Sequence, residues 1–114
     1  MIKIIIVLSF ITLDFLTGII KALKQKKLNS SEMRSGLFRK SAEVLILLFT
    51  YLFDIVIVKF SLDLPYIFNY IMIYLIIMES CSIYENICFI NPLLKNKKLS
   101  SFLDKIKKES EENL

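Results

Sequence analysis

The chain has 114 residues, 55% of them hydrophobic, with a mean hydropathy of +0.60 and a formal net charge of +4. That length allows a single domain, and so apolar a composition does not describe a soluble globule. With no histidine and only two glycines, the chain has no His-dependent triad or zinc site and no Gly-rich phosphate loop. No catalytic constellation, metal site or cofactor is expected from these residues. The basic residues flank apolar runs, so membrane charge rather than nucleic acid accounts for them.

The first apolar run, about 4–23, is long enough to cross a bilayer. Within it Asp14, Thr17, Gly18 and Lys21 fall at i, i+3, i+4 and i+7, which is one face of a helix. A carboxylate near the middle of a span costs a few kcal/mol, so Asp14 marks function or a buried partner. Only Lys3 precedes the run and no small-x-small cleavage site follows it, so it reads as a retained span rather than a signal peptide.

Residues 24–40 read as a polar surface loop, with or without a short helix in it, with Asn29-Ser30-Ser31 as a turn or helix-cap signal and Gly36 as the second glycine. Its cations Lys24, Lys26, Lys27, Arg34, Arg39 and Lys40 are assigned to the membrane surface. The second span, 41–60, carries Glu43, Thr50 and Asp54 at spacings of seven and four, again on one face. Leu62-Asp63-Leu64-Pro65 ends it, because proline cannot continue a helix. The connection is short, so the second and third spans are antiparallel neighbours.

The third span, 66–90, places Glu79, Ser82 and Asn86 on one face, with Glu85 slightly off it. Tyr66, Tyr70 and Tyr84 suit the interfaces, while Tyr74 lies deeper and needs a hydrogen-bond partner. Cys81 and Cys88 are about 10 Å apart along a helix, too far to bridge within it. They are either small packing residues or an inter-subunit cross-link. Asn91-Pro92 closes the span. In the tail, 91–114, Leu99, Phe102, Leu103 and Ile106 fall at i, i+3, i+4 and i+7, interleaved with Lys105, Lys107 and Lys108, and Ser101 with Asp104 resembles a capping box. The tail reads either as a short basic amphipathic helix on an anionic lipid surface or as a solvated segment.

The expected fold is therefore all-α, one membrane domain over 1–114 with three transmembrane helices and a short basic amphipathic C-terminal helix. Seven basic residues lie between Lys21 and Lys40 and six in the tail, against Lys3 and Lys59 alone elsewhere. By the positive-inside rule the N-terminus, with Met1, and the turn after Phe60 are outside, and the tail is cytoplasmic. Lys21 and Glu43 share the cytoplasmic end and can pair, whereas Asp14, Asp54 and Glu79 have no obvious intramembrane cation. Two arrangements would shelter them. One is a monomeric bundle with hydrogen bonds to Thr17, Thr50, Ser82 and Asn86; the other is a homo-oligomer around a polar seam or water-filled lumen.

Several ordered motifs resemble a known family. They are Leu13-Asp14-Phe15-Leu16-Thr17-Gly18-Ile19-Ile20-Lys21-Ala22, Lys27-Leu28-Asn29-Ser30-Ser31, Gly36-Leu37-Phe38-Arg39-Lys40, Asp54, and Met78-Glu79-Ser80-Cys81-Ser82-Ile83-Tyr84-Glu85-Asn86. Together they resemble the phage-lysis and toxin-secretion holin family, which usually has Asn where Met78 stands and often has two prolines and a glycine before the tail, where only Pro92 stands here. The resemblance implies a homo-oligomer in the bacterial cytoplasmic membrane whose lesions let an endolysin or a toxin pass, with Asp14, Thr17, Gly18, Lys21, Glu43, Asp54, Glu79, Ser82, Glu85 and Asn86 lining the helix seam or lumen. Two other readings share the same residues: an ion or proton channel with a relay through Asp14, Asp54 and Glu79, and a scaffold or anti-holin that permeabilises nothing alone.

Overall fold

The computed structural model describes residues 2–112, so the placement expected for Met1 lies outside the described residues. Four helices follow in order, α1 (Ile2–Lys24), α2 (Ser30–Lys59), α3 (Phe68–Ile90) and α4 (Lys97–Glu112), with a 3₁₀ turn at Pro92–Leu94 before the last. No strand occurs among the described residues. The all-α expectation holds, and α1, α2 and α3 are each long and apolar enough to cross a membrane.

The boundaries differ from the expected ones in a way that matters for the site. The polar segment after the first span is a five-residue turn rather than a long loop, because Asn29 starts α2 early. Its side-chain oxygen accepts from the Glu32 backbone N–H at 2.8 Å, the standard use of an Asn N-cap. The resulting 30-residue helix is about 45 Å long, and its first turns run alongside the second half of α1, where a Cβ on Gly36 would meet the Phe15 ring at 3.6 Å. Arg34 and Arg39 are exposed on those turns, and Lys40, which follows them, is half-buried.

α1 and α3 run in the same direction and pack closely, with α2 antiparallel to both. At one end Val7 and Ile11 of α1, Leu47 of α2, and Phe68, Met72 and Leu75 of α3 form the apolar core, with Ile4, Ile71, Tyr74 and Ile76 around it. Tyr51 meets the Phe68 ring edge-on at 5.5 Å. Along the same stripes the residues then become polar: Asp14 and Thr17 continue the buried row of α1, and Glu79 and Asn86 that of α3. Half of the bundle is thus held by hydrocarbon packing and half by polar contacts.

Charged side chains from other helices cap both ends of α3. The Asp54 carboxylate accepts from the backbone N–H groups of Ile67 and Phe68 at 2.9 and 3.2 Å. The Lys24 ammonium donates to the carbonyls of Phe89 and Ile90 at 3.0 and 2.8 Å. An anion at the N-terminus and a cation at the C-terminus oppose the helix dipole and satisfy end groups that lipid cannot. α1 and α2 both end in Schellman-type hydrogen bonding, with Lys26 (φ 58°) and Ser61 (φ 49°) in the left-handed region.

The tail is helical, but its cap is not the expected Ser101. Asn96 accepts from the Lys98 and Leu99 N–H groups at 2.8 and 3.3 Å, so Ser101 lies inside the helix. The Tyr84 hydroxyl accepts from the Asn96 N–H at 2.8 Å and donates to its carbonyl at 3.1 Å, pinning the turn. From there α4 folds back along α3, bringing the Leu103 carbonyl to 3.9 Å from the Cys81 thiol. Cys81 and Cys88 are both free. The hydrogen bond expected for Tyr74 is absent among the described residues; Tyr84 is the bonded tyrosine.

Two substitutions at the turn between α2 and α3 have opposite expected effects on thermal unfolding in detergent. Asp54→Ala removes the α3 cap and costs about 1–2 kcal/mol, whereas Ser61→Gly relieves the left-handed conformation and adds roughly 1 kcal/mol.

Candidate functional site

The polar half of the bundle is organised by Lys40. The α2 register places Lys40, Glu43, Leu47, Thr50 and Asp54 on one stripe at alternating spacings of three and four. Lys40 and Glu43 thereby point into the bundle. The Lys40 ammonium donates to the Asp14 carboxylate of α1 and to both oxygens of the Glu79 carboxylate of α3, the latter at 2.9 and 2.7 Å. Glu43 of α2 lies 3.8 Å from the same nitrogen. One cation therefore links all three long helices.

A second set of bonds extends the cluster along the α1–α3 contact. The Asn86 side-chain N–H groups donate to Asp14 at 3.1 Å and to the Thr17 hydroxyl at 3.0 Å, and Thr17 donates to the Asp14 backbone carbonyl at 3.1 Å. Gly18 lies against this pair: a Cβ built there would meet the Asn86 amide nitrogen at 3.8 Å. The Glu79 side chain is only 4% exposed and that of Asp14 10%. In so dry a setting a charge stays ionised only when paired and hydrogen-bonded, and Lys40 supplies the pairing.

One ammonium faces three carboxyl groups, so the cluster is rich in acid. One oxygen of Glu43 is buried without a hydrogen-bond partner. Beside it a cavity of about 430 Å³, bordered by Phe15, Ile19, Met33 and Gly36, separates the second half of α1 from the first turns of α2 and reaches Asp14, Lys40 and Glu43. Across this gap the three-helix contact is weakest.

The structure distributes the other expected residues unevenly. Asp14, Thr17, Gly18, Glu43, Glu79 and Asn86 come together, and Ser82 borders the same cavity. Lys21 does not pair with Glu43; its ammonium lies 5.2 Å above the Phe89 ring, a cation–π contact. Asp54 caps α3 about 16 Å along the helix from Glu79, and Glu85 is exposed. Lys26, Lys27, Arg34, Arg39, Lys105 and Lys108 are exposed and Lys107 is half-buried. Lys40 differs from its assignment: expected among the surface cations, it turns into the bundle and is the cation that pairs with Asp14 and Glu79. The stripe continuing back from Glu43 was the signal for it. The role of Lys24 as an α3 cap had no sequence signal.

Among comparisons with known proteins, the model of the bacteriophage holin family matches residues 1–108. The chain belongs to the bacteriophage holin family. No curated protein and no solved structure matches it. As a holin-family chain with three membrane-length apolar helices, it is a holin-like multi-pass membrane protein. In this holin-family bundle the cluster's chemistry is ionic and hydrogen-bonding: it can hold helices together or, once wet, present a polar surface.

Lys40→Met leaves Asp14 and Glu79 buried and unpaired, and should destabilise the bundle in detergent by about 3–5 kcal/mol. Adding Asp14→Asn and Glu79→Gln should recover most of that loss, as seen in thermal unfolding, because no uncompensated charge then remains.

Proposed function

We propose that this chain is a holin that assembles with copies of itself in the bacterial cytoplasmic membrane and opens lesions large enough for an endolysin or a toxin to cross. The observation that carries this reading is the Lys40–Asp14–Glu79 cluster with Asn86 and Thr17: a set of polar groups hidden inside a thin bundle whose outer faces are apolar. Leu45, Leu48, Phe49 and Leu52 of α2, for example, are all exposed and suit lipid or another copy. A single bundle has no room for a lumen. Several bundles that turn their polar stripes toward one another create one, because water then solvates the groups that Lys40 neutralises in the closed form.

The cavity between α1 and α2 supports this route. Moving α2 away from α1 and α3 withdraws Lys40 and Glu43 from Asp14 and Glu79. All four become hydrated together, so the cost of breaking the ion pairs is offset by solvation. The change is one of assembly, with no bond made or broken. The turn at 25–29 and the segment after Ile90 lie at the same end of the bundle, and their lysines suit the cytoplasmic side by the positive-inside rule, with the start of α1 and the α2–α3 turn outside. Anionic lipid is the expected environment at that basic end.

A relay through Asp14, Asp54 and Glu79 would serve a narrow proton channel, but the carboxylate of Asp54 is engaged at the far end of α3. A lesion-former fits the geometry better.

Inducible expression in bacteria, followed by membrane potential and by escape of a folded cytoplasmic reporter enzyme, tests the proposal. Sudden loss of potential with release of the enzyme is expected. Glu79→Leu should insert normally and fail to release the enzyme; full release by that variant would remove Glu79 from the mechanism. Depolarisation with the enzyme retained would favour a channel, and no effect despite insertion would favour an anti-holin.

A further inference from the structure

The apolar stripe of α4 is only partly covered. Leu103 and Ile106 face α3 and are half-buried, whereas Leu99 and Phe102 are 43% and 57% exposed. No residue of α4 is buried. One helix cannot cover both edges of a stripe at i, i+3, i+4 and i+7, but a flat surface can.

The position of α4 along α3 is also unsuited to hydrocarbon. Leu103 stands level with Cys81, nine residues before the end of the span, and Ile106 and Glu109 border a cavity shared with Tyr70, Tyr74 and Ile77. Lys105 and Lys108 are exposed there at the depth of the middle of α3, where a lysine facing lipid is costly. Beside the exposed edge, Lys97, Lys98, Ser101 and Lys105 surround Phe102 in one shallow depression, a pattern of cations around an apolar side chain that matches an anionic headgroup above acyl chains. The Asn91–Asn96 segment joins α4 to α3 through exposed residues and a single pin at Tyr84.

We propose that, in the bilayer, α4 pivots about this segment and binds anionic phospholipid headgroups, laying Leu99, Phe102, Leu103 and Ile106 into the leaflet nearest the end of α3. The ligand is the surface of an anionic phospholipid bilayer. This inference concerns α4 alone and does not depend on lesion formation.

The chain contains no tryptophan, so Phe102→Trp gives a single fluorescent reporter in the full-length protein. Reconstituted into vesicles containing phosphatidylglycerol, this variant should show blue-shifted emission quenched by lipids brominated near the headgroup; in pure phosphatidylcholine the emission should shift toward that of water-exposed indole. Replacing Lys97, Lys98 and Lys105 by Gln should weaken the anionic-lipid preference by about fivefold per lysine. Leu99→Trp, on the same edge, provides an independent reporter if Phe102→Trp disturbs the fold. Equal emission in the two lipids, or absence of quenching in the anionic vesicles from both reporters, would overturn the proposal.

Discussion

The hold of α2 on the polar half of this bundle depends on one ammonium group. Apolar side chains exposed on a membrane helix have little reason to prefer another helix over lipid, so hydrocarbon contacts alone give α2 weak grounds to stay beside α1 and α3. The Lys40 ammonium supplies a specific reason: it donates to Asp14 of α1 and Glu79 of α3 at once. Separating the helices in dry surroundings would strand charges on both sides, which is expensive. Separating them into water would not. The contact that closes the bundle is therefore sensitive to whether water reaches it, and this conditional stability is the physical property a lesion-former needs.

The remaining devices are consistent with that division of labour. At one end, Val7, Ile11, Leu47, Phe68, Met72 and Leu75 pack as an ordinary core, and Asp54 fastens the start of α3 to α2. At the other, Lys24 fastens the end of α3 to α1, while the gap beside Glu43 leaves α1 and α2 loosely joined. The α2–α3 hairpin is thus tied at its turn and free at its open end. Motion that exposes Asp14 and Glu79 needs only the open end to part, hinged near the apolar core.

Much of this was legible in the sequence because membrane spans are written in long apolar runs and helical spacing. The three spans, the antiparallel α2–α3 connection and the shared faces of Asp14 with Thr17 and of Glu79 with Asn86 follow from length and period alone. What was not legible were contacts between elements. Lys40 sits in a basic cluster, and a positive-inside reading assigns such a cluster to the surface; its place on the stripe running back from Glu43 points inward only once the Asn29 cap carries α2 that far back. Asp54 shares a stripe with Glu43 and Thr50, yet it caps a backbone in another helix, which spacing cannot reveal. The spacing of Leu99, Phe102, Leu103 and Ile106 carries the amphipathic pattern of the tail helix, but Asn96 rather than Ser101 caps it because Tyr84 fixes the preceding turn.

The water accessibility of the seam is the measurement that bears most directly on the proposal that the bundle hides its polar face until it assembles. Thr17 is buried against Asn86, and a thiol in its place is nearly the same size. In a background with Cys81 and Cys88 replaced by alanine, Thr17→Cys would be treated in cells with a membrane-impermeant thiol reagent before and after permeabilisation begins. A water-lined lesion built from this face requires the thiol to be unreactive before the onset and to react after it. A thiol that stays unreactive while folded enzyme escapes would contradict the account, because the lesion would then be lined by some other face of the protein.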